Sequence, residues 1–186
     1  MSFAEADALV AAARRGESRA IEELARTTAP EVWRFLAHLV DVESADDLTQ
    51  ETYLRAFGAL RRFRGASSLR TWLLSIARRV AADELRRRAR RPAALAPPPD
   101  VPGEPDVAGE VGARDLLRRL SPDRREAFVL TQIVGLGYAE AAELAGCPVG
   151  TIRSRVARAR DDLIAMVAER PSRASGRDPA RGERPA

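Results

Sequence analysis

The chain has 186 residues, of which 45% are hydrophobic, enough for one ordinary domain or two small ones and too many for a chain disordered throughout. Its 31 basic residues are all arginine and stand against 27 acids, a formal net charge of +4, with one histidine and one cysteine. A lone cysteine excludes an internal disulfide, and Cys147 with His38 is too small a set for structural zinc, so neither metal nor cofactor is expected.

The start, "MSFAEADALVAAARRGE", has no basic segment ahead of a long apolar run. No stretch reaches the roughly 20 apolar residues of a membrane span. The expectation is a cytoplasmic chain without membrane insertion. Helical spacing begins at once: Leu9 and Val10, then Ile21 and Leu24, then Val32, Phe35, Leu36, Leu39 and Val40 recur at three and four residues, and no window alternates as a strand does. "SADDLTQETYLRAFGAL" predicts a helix from near Ser44, with acids in its first turn where the helix dipole favours them. After the loop "RFRGASS", "SSLRTWLLSIARRVAADELRRRAR" predicts another, capped by Ser67 or Ser68, with Leu69, Trp72, Leu73, Ile76 and Val80 inward.

Charge is segregated along this half. Six acids face two arginines between Glu31 and Leu60, whereas eleven arginines face only Asp83 and Glu84 between Arg61 and Arg91. An acidic face followed by a basic one implies two different partners, the basic one a polyanion.

Residues 92 to 111 hold six of the 12 prolines and are acidic, through Asp100, Glu104, Asp106 and Glu110, which predicts a linker. A second helical block runs from about Val111 to Ala168, with Pro122 after Ser121 at a helix start. Residues 169–186, rich in Pro, Gly, Ser and Arg, are expected to be a disordered basic tail.

Within the second block, "GYAEAAELAGCPVG" reads as a short helix from about Tyr138 to Leu144, a tight turn at Gly146 and Cys147, and a new helix opening at Pro148 and Val149. Short helix, glycine turn and longer helix form the helix-turn-helix pattern, whose second helix lies in the DNA major groove. In "PVGTIRSRVARARDDL" the seam Ile152, Val156, Ala159, Leu163, continued by Val167, is expected inside. Thr151, Arg153, Ser154, Arg155, Ala157, Arg158 and Arg160 are left outside, where arginine can neutralise phosphates or pair with guanine and short neighbours let the backbone approach. An arginine-rich solvated face is the plainer alternative for the helix taken alone.

"LSPDRREAFVLTQIVGLGYAEAAELAGCPVGTIRSRVARARDDL" resembles region 4 of bacterial extracytoplasmic-function sigma factors of the sigma-70 family, and "DDLTQETYLRAFGALRRFRGASSLRTWLLSIARRVAADELRRR" resembles their region 2. The match covers about residues 5 to 168. It implies an all-α protein of two small helical domains, with region 2 over 1–91, a linker over 92–112, region 4 over 113–168 and the tail after it. It also implies a dissociable promoter-specificity subunit of RNA polymerase with no catalytic site of its own.

By position, the resemblance assigns Arg153, Ser154 and Ala157 to reading the minus-35 element, with Thr151 beside them and Tyr138, Arg155 and Arg158 on the DNA backbone. Asp46, Asp47, Gln50, Glu51 and Arg55 are assigned to docking on the clamp helices of the polymerase's large subunits, with Leu48, Tyr53, Leu54 and Phe57 mostly inward. The flap of those subunits is a further implied contact. Physics agrees, since acids on an exposed helix can pair with a basic coiled coil. For the melted minus-10 strand, the loop from Phe63 to Ser68, with Arg64 and Ser67, is the expected base pocket, and Ile76, Ala77, Arg78, Arg79 and Asp83 match strand-contacting positions. Trp72 fits either that surface or the core, and Arg86 to Arg91 either backbone contact or solvation. The linker is expected to thread polymerase channels or to be a plain spacer. Many relatives are held by an anti-sigma factor, which adds a third partner class. Gly137 stands where many relatives carry serine, and glycine caps only slightly less well. The competing function is a free-standing helix-turn-helix regulator of duplex DNA; a nuclease fits poorly, because the carboxylates have no His, Cys or Lys support.

Overall fold

The computed structural model describes residues 3–65, 67–90 and 108–169. Most of the expected linker, the terminal tail beyond Glu169 and Ala66 of the expected base pocket lie outside the described residues. Among the described residues eight α-helices follow in chain order: α1 Phe3–Arg14, α2 Ser18–Leu39, α3 Ala45–Ala59, α4 Leu69–Ala89, α5 Ala108–Arg119, α6 Pro122–Phe128, α7 Tyr138–Ala145 and α8 Val149–Ala168. Among the described residues there is no strand, as the helical periodicity requires. Helix α5 starts at Ala108, earlier than the expected Val111 and inside the segment assigned to the linker.

Local chemistry sets these boundaries. Ser68 takes extended backbone and its hydroxyl accepts from the Thr71 N–H, so of the two serines offered it is Ser68 that caps α4. Pro122 opens α6, where its missing N–H costs nothing. At α3, Ser44 makes no side-chain cap; its hydroxyl and N–H donate instead to Asp41. Pro30 sits inside α2, which continues through it.

In the first half, α2 packs on α1, α3 and α4, and α3 on α4. Phe35, Leu36, Leu24, Leu73, Leu74 and Val80 fill the centre. In the second half, α6 and α7 pack on α8 around Val129, Leu130, Ile152 and Val156. A π-helical turn, Val129–Ile133, follows α6 directly, with the Val134 N–H donating to the Val129 carbonyl at 2.9 Å.

The two halves share one apolar core. Helix α2 meets α5 and the π turn, and α4 meets α7. Polar groups reinforce the contact reciprocally. Arg70 of α4 donates to the Val134 carbonyl at 2.6 Å, and Arg125 of α6 donates to the Leu39 carbonyl at the end of α2 at 3.2 Å. Each half thus satisfies a helix-end carbonyl of the other, where the dipole favours a cation. Arg78 of α4 forms a two-pronged ion pair with Glu126 of α6.

Candidate functional site

Three surfaces collect the residues singled out in the sequence. The first is built by α7 and α8. The Gly137 N–H donates to the Glu140 carboxylate at 3.0 Å at the start of α7, half of a capping box that survives without a serine. Gly146 ends α7 in the left-handed region, φ 67°, which glycine enters freely. The Cys147 N–H then returns to the Ala142 carbonyl at 3.1 Å, closing the turn.

Helix α8 leaves this turn with Ile152, Val156 and Ala159 wholly inside and Arg153, Ser154, Ala157 and Arg158 exposed on the other side. Thr151 is half-buried and Tyr138 exposed. The seam departs from expectation at its end, where Val167 is 53% exposed and Met166, one residue earlier, packs beside Leu163. The arginines are not equivalent. Arg155 pairs with Asp123 and lies 3.8 Å from the Cys147 sulfur, bracing the turn, while Arg160 donates to Gln132 at 2.6 Å. Arg153 and Arg158 carry no ion pair among the described residues and remain available. The Ser154 hydroxyl is folded back on the Thr151 carbonyl.

The second surface is α3. Asp46, Asp47, Gln50 and Arg55 are exposed and Glu51 half-exposed, as expected. Leu48 and Tyr53 are buried, Phe57 is partly buried, and Leu54 is 63% exposed, a correction to its inward placement. Tyr53 and Leu54 are adjacent and so about 100° apart on the helix, and burial of Tyr53, whose hydroxyl meets that of Thr28 at 2.6 Å, turns Leu54 out among the acids. The Trp33 indole N–H donates to Asp46 at 2.8 Å, fixing that carboxylate from α2.

The third surface is the loop before α4 and α4 itself. Phe63 is buried and tilts against Trp72 with ring centroids 4.9 Å apart. Trp72 is half-buried against the core, so it packs inward while keeping an exposed edge. Ser67 is half-buried, and Arg64 and Arg79 are exposed. Ile76 and Ala77 are buried, so they do not form part of the accessible face in this arrangement.

Arg78 is held by Glu126, whose hydrogen bond and charge keep the guanidinium more firmly protonated than usual. Asp83 receives Arg55 at 2.9 Å and Arg86 at 2.6 Å, and these bonds hold its carboxyl below the usual range. Of the arginine run, Arg91 lies outside the described residues; Arg87 and Arg88 both bind Glu84, and Arg88 also binds Asp41. Glu84 is held below the usual carboxylate range by Arg87 first, with Arg88 adding to it against the opposing effect of burial. Burial alone would raise the Asp41 carboxyl, but Arg88 and Ser44 overcome that and lower it. Sequence reasoning missed Leu54, Trp33, Glu126 and Arg70. Only Leu54 carried a local signal, its adjacency to Tyr53.

Residues 24–91 match the family described as sigma-70 region 2, and residues 112–163 match sigma-70, region 4. The chain is 51% identical over 164 residues to the ECF RNA polymerase sigma factor SigC of Mycobacterium tuberculosis, covering 85% of this chain and 89% of that protein. It is 33% identical over 177 residues to the RNA polymerase sigma-H factor of Pseudomonas aeruginosa, covering 83% and 90%. Among solved structures, it superposes on a chain of CnrH in complex with the cytosolic domain of CnrY with a TM-score of 0.71 at 28% identity, over 87% of this chain and 96% of that one. It also superposes on a chain of the complex of the sigma factor RpoE with the anti-sigma factor NepR from Bartonella quintana, with a TM-score of 0.66 at 30% identity, over 79% and 96%.

Proposed function

The chain belongs to the extracytoplasmic-function sigma factors of the sigma-70 family, and from that premise we propose how its surfaces divide the work of transcription initiation. It acts as a sigma factor of RNA polymerase, bringing the core enzyme to promoter DNA. The α8 face reads the minus-35 duplex, with Arg153 as the base-reading arginine, Ala157 offering apolar contact and Arg158 and Tyr138 on phosphates. Arg155 acts mainly as a brace, because its guanidinium is already committed to Asp123. The α3 face, with Asp46, Asp47, Gln50, Glu51 and Leu54, docks on the clamp of the polymerase. Region 4 engages the flap. Helix α4 and its preceding loop hold the opened minus-10 strand through Arg64, Ser67, Arg79 and, once released, Arg78.

The observation that carries this division is the sidedness of α8: Ile152, Val156 and Ala159 wholly buried on one side, and on the other the exposed Arg153 and Arg158, which have no ion pair among the described residues. Since Glu126 holds Arg78 and α7 covers part of α4, full use of the α4 face entails parting of the two halves. The chain works in the cytoplasm and performs no bond chemistry itself; the polymerase supplies that. An anti-sigma protein is a fitting regulator, as the neighbouring RpoE–NepR complex pairs a sigma factor with one. A free-standing regulator does not account for the region 2 match over residues 24–91.

Run-off transcription with purified core polymerase on a library of random promoters is the test. Transcripts whose promoters share two spaced elements are expected. Failure to bind core polymerase at low salt, with duplex binding retained, would overturn the assignment.

A further inference from the structure

Helix α4 presents an arginine-rich face to its proposed strand, yet one exposed carboxylate stands in it. Among residues 69–89 the acids are Asp83 and Glu84 only, and Glu84 is buried beneath Arg87 and Arg88. Asp83 is exposed, one turn from Arg79 and Arg86. A carboxylate at that place repels any phosphate the neighbouring arginines attract, and the repulsion acts over the roughly 8 Å Debye length of a physiological buffer.

The residue that offsets it comes from another helix. Arg55 of α3 donates through Nη1 to Asp83 at 2.9 Å and through Nε to Glu51 at 2.7 Å. One guanidinium is therefore divided between an acid of the proposed polymerase-docking face and an acid of the proposed strand-binding face. Arg86 also reaches Asp83, at 2.6 Å; where the arginine run contacts the strand backbone, that charge is drawn to the phosphates and Arg55 is left to offset Asp83.

We propose that Arg55 couples polymerase docking to strand binding: it neutralises Asp83 so that a nucleic-acid strand can lie along α4, and it does so more fully when a cation of the docked polymerase takes over Glu51. The inference rests on the assignment of α3 to docking and of α4 to the strand. Arg55 is a positioning residue in this scheme, because it touches neither strand nor reacting group. By linkage, a strand bound on α4 tightens docking by the same factor, so a minus-10 single strand should raise the affinity of the parent chain for core polymerase and do so less in Arg55→Ala; equal enhancement in the two would overturn the link to docking.

The test is a double-mutant cycle in the full chain, with promoter opening by the holoenzyme read from permanganate reactivity of unpaired thymines at saturating core polymerase, so that altered docking does not enter. Arg55→Ala is expected to lower opening about fivefold, the size of one uncompensated charge near a surface phosphate. In the Asp83→Asn chain the same substitution is expected to change opening less than twofold, because the charge that Arg55 offsets is gone. Both chains should keep the melting temperature of the parent within a few degrees. An equal loss in the two backgrounds would overturn the coupling and leave Arg55 as a direct contact of DNA or polymerase. No loss in either background would overturn it as well. Arg79→Ala separates the layers: if it weakens opening while the cycle is flat, the strand assignment stands and the coupling fails; if it is also silent, the strand assignment fails and the coupling with it.

Discussion

Replacing Glu126 with glutamine removes one charge from the contact between the two halves and almost no volume. The Glu126 side chain is 13% exposed and that of Arg78 37%, so the pair is only partly screened. Two charges about 4 Å apart attract by about 4 kcal/mol at an effective dielectric constant near 20. Most of that is offset by desolvation of the carboxylate, and glutamine keeps one hydrogen-bond acceptor, leaving a net loss of about 1 kcal/mol. That shifts the equilibrium between packed and parted halves about fivefold. If the packed state dominates, apparent affinity of the α4 face for a melted strand rises by the same factor. Fluorescence anisotropy with a labelled single-stranded minus-10 oligonucleotide measures it, with Arg78→Ala as the control that lowers affinity in both backgrounds. Unchanged or weaker strand binding by Glu126→Gln, at an unchanged melting temperature, would show that the ion pair does not compete with nucleic acid.

Other consequences are open to measurement. Arg153→Ala should cost about 1–3 kcal/mol of discrimination among upstream elements in competition binding, while a uniform loss on all sequences would contradict base reading. If α3 docks as proposed, Leu54→Ala should weaken core polymerase binding by about 1–2 kcal/mol with little effect on folding, since the side chain is exposed in the free chain. Asp47→Arg with Gln50→Arg should weaken the same interaction and spare duplex binding by α8. Ile152→Ala, at a wholly buried position, should destabilise the fold by about 2–5 kcal/mol in denaturant unfolding. The carboxyls of Asp41 and Glu84 are held below their ordinary values, so their contribution to stability is present above the usual carboxylate range and is lost as pH falls through the lowered values. Thermal melting should therefore drop on acidification below that range, and less steeply in Arg88→Ala, which removes a shared partner of both acids.

Much of this was legible in the residues because it is local. Helical spacing, the Ser68 cap, the Pro122 start and the Gly146 turn each depend on neighbours within a turn or two, and the exposed face of α8 follows once Ile152 and Val156 are turned in. Two of the errors are of one kind. Leu54 and Val167 lie next to Tyr53 and Met166, and with 3.6 residues per turn a residue at the border of an apolar stripe goes in or out according to which neighbour packs better. Long-range pairs left no local trace: nothing near Arg78 names Glu126, and nothing near Arg55 names Asp83. Phe63 and Trp72 were legible as aromatics of one region, but their packing on each other was not.

Across the contact between the halves, Arg70 and Arg125 grip main-chain oxygens of Val134 and Leu39, while Arg70 also pairs with the Glu31 carboxylate within its own half. A carbonyl is present whatever residue occupies the position, so the accepting side of each grip is indifferent to point substitution. A genetic screen for chains whose halves part more easily should thus recover changes at the two arginines and at Glu126, yet be nearly blind to Leu39 and Val134 except through their apolar packing. Drift in the sequence erodes such a joint from one side only.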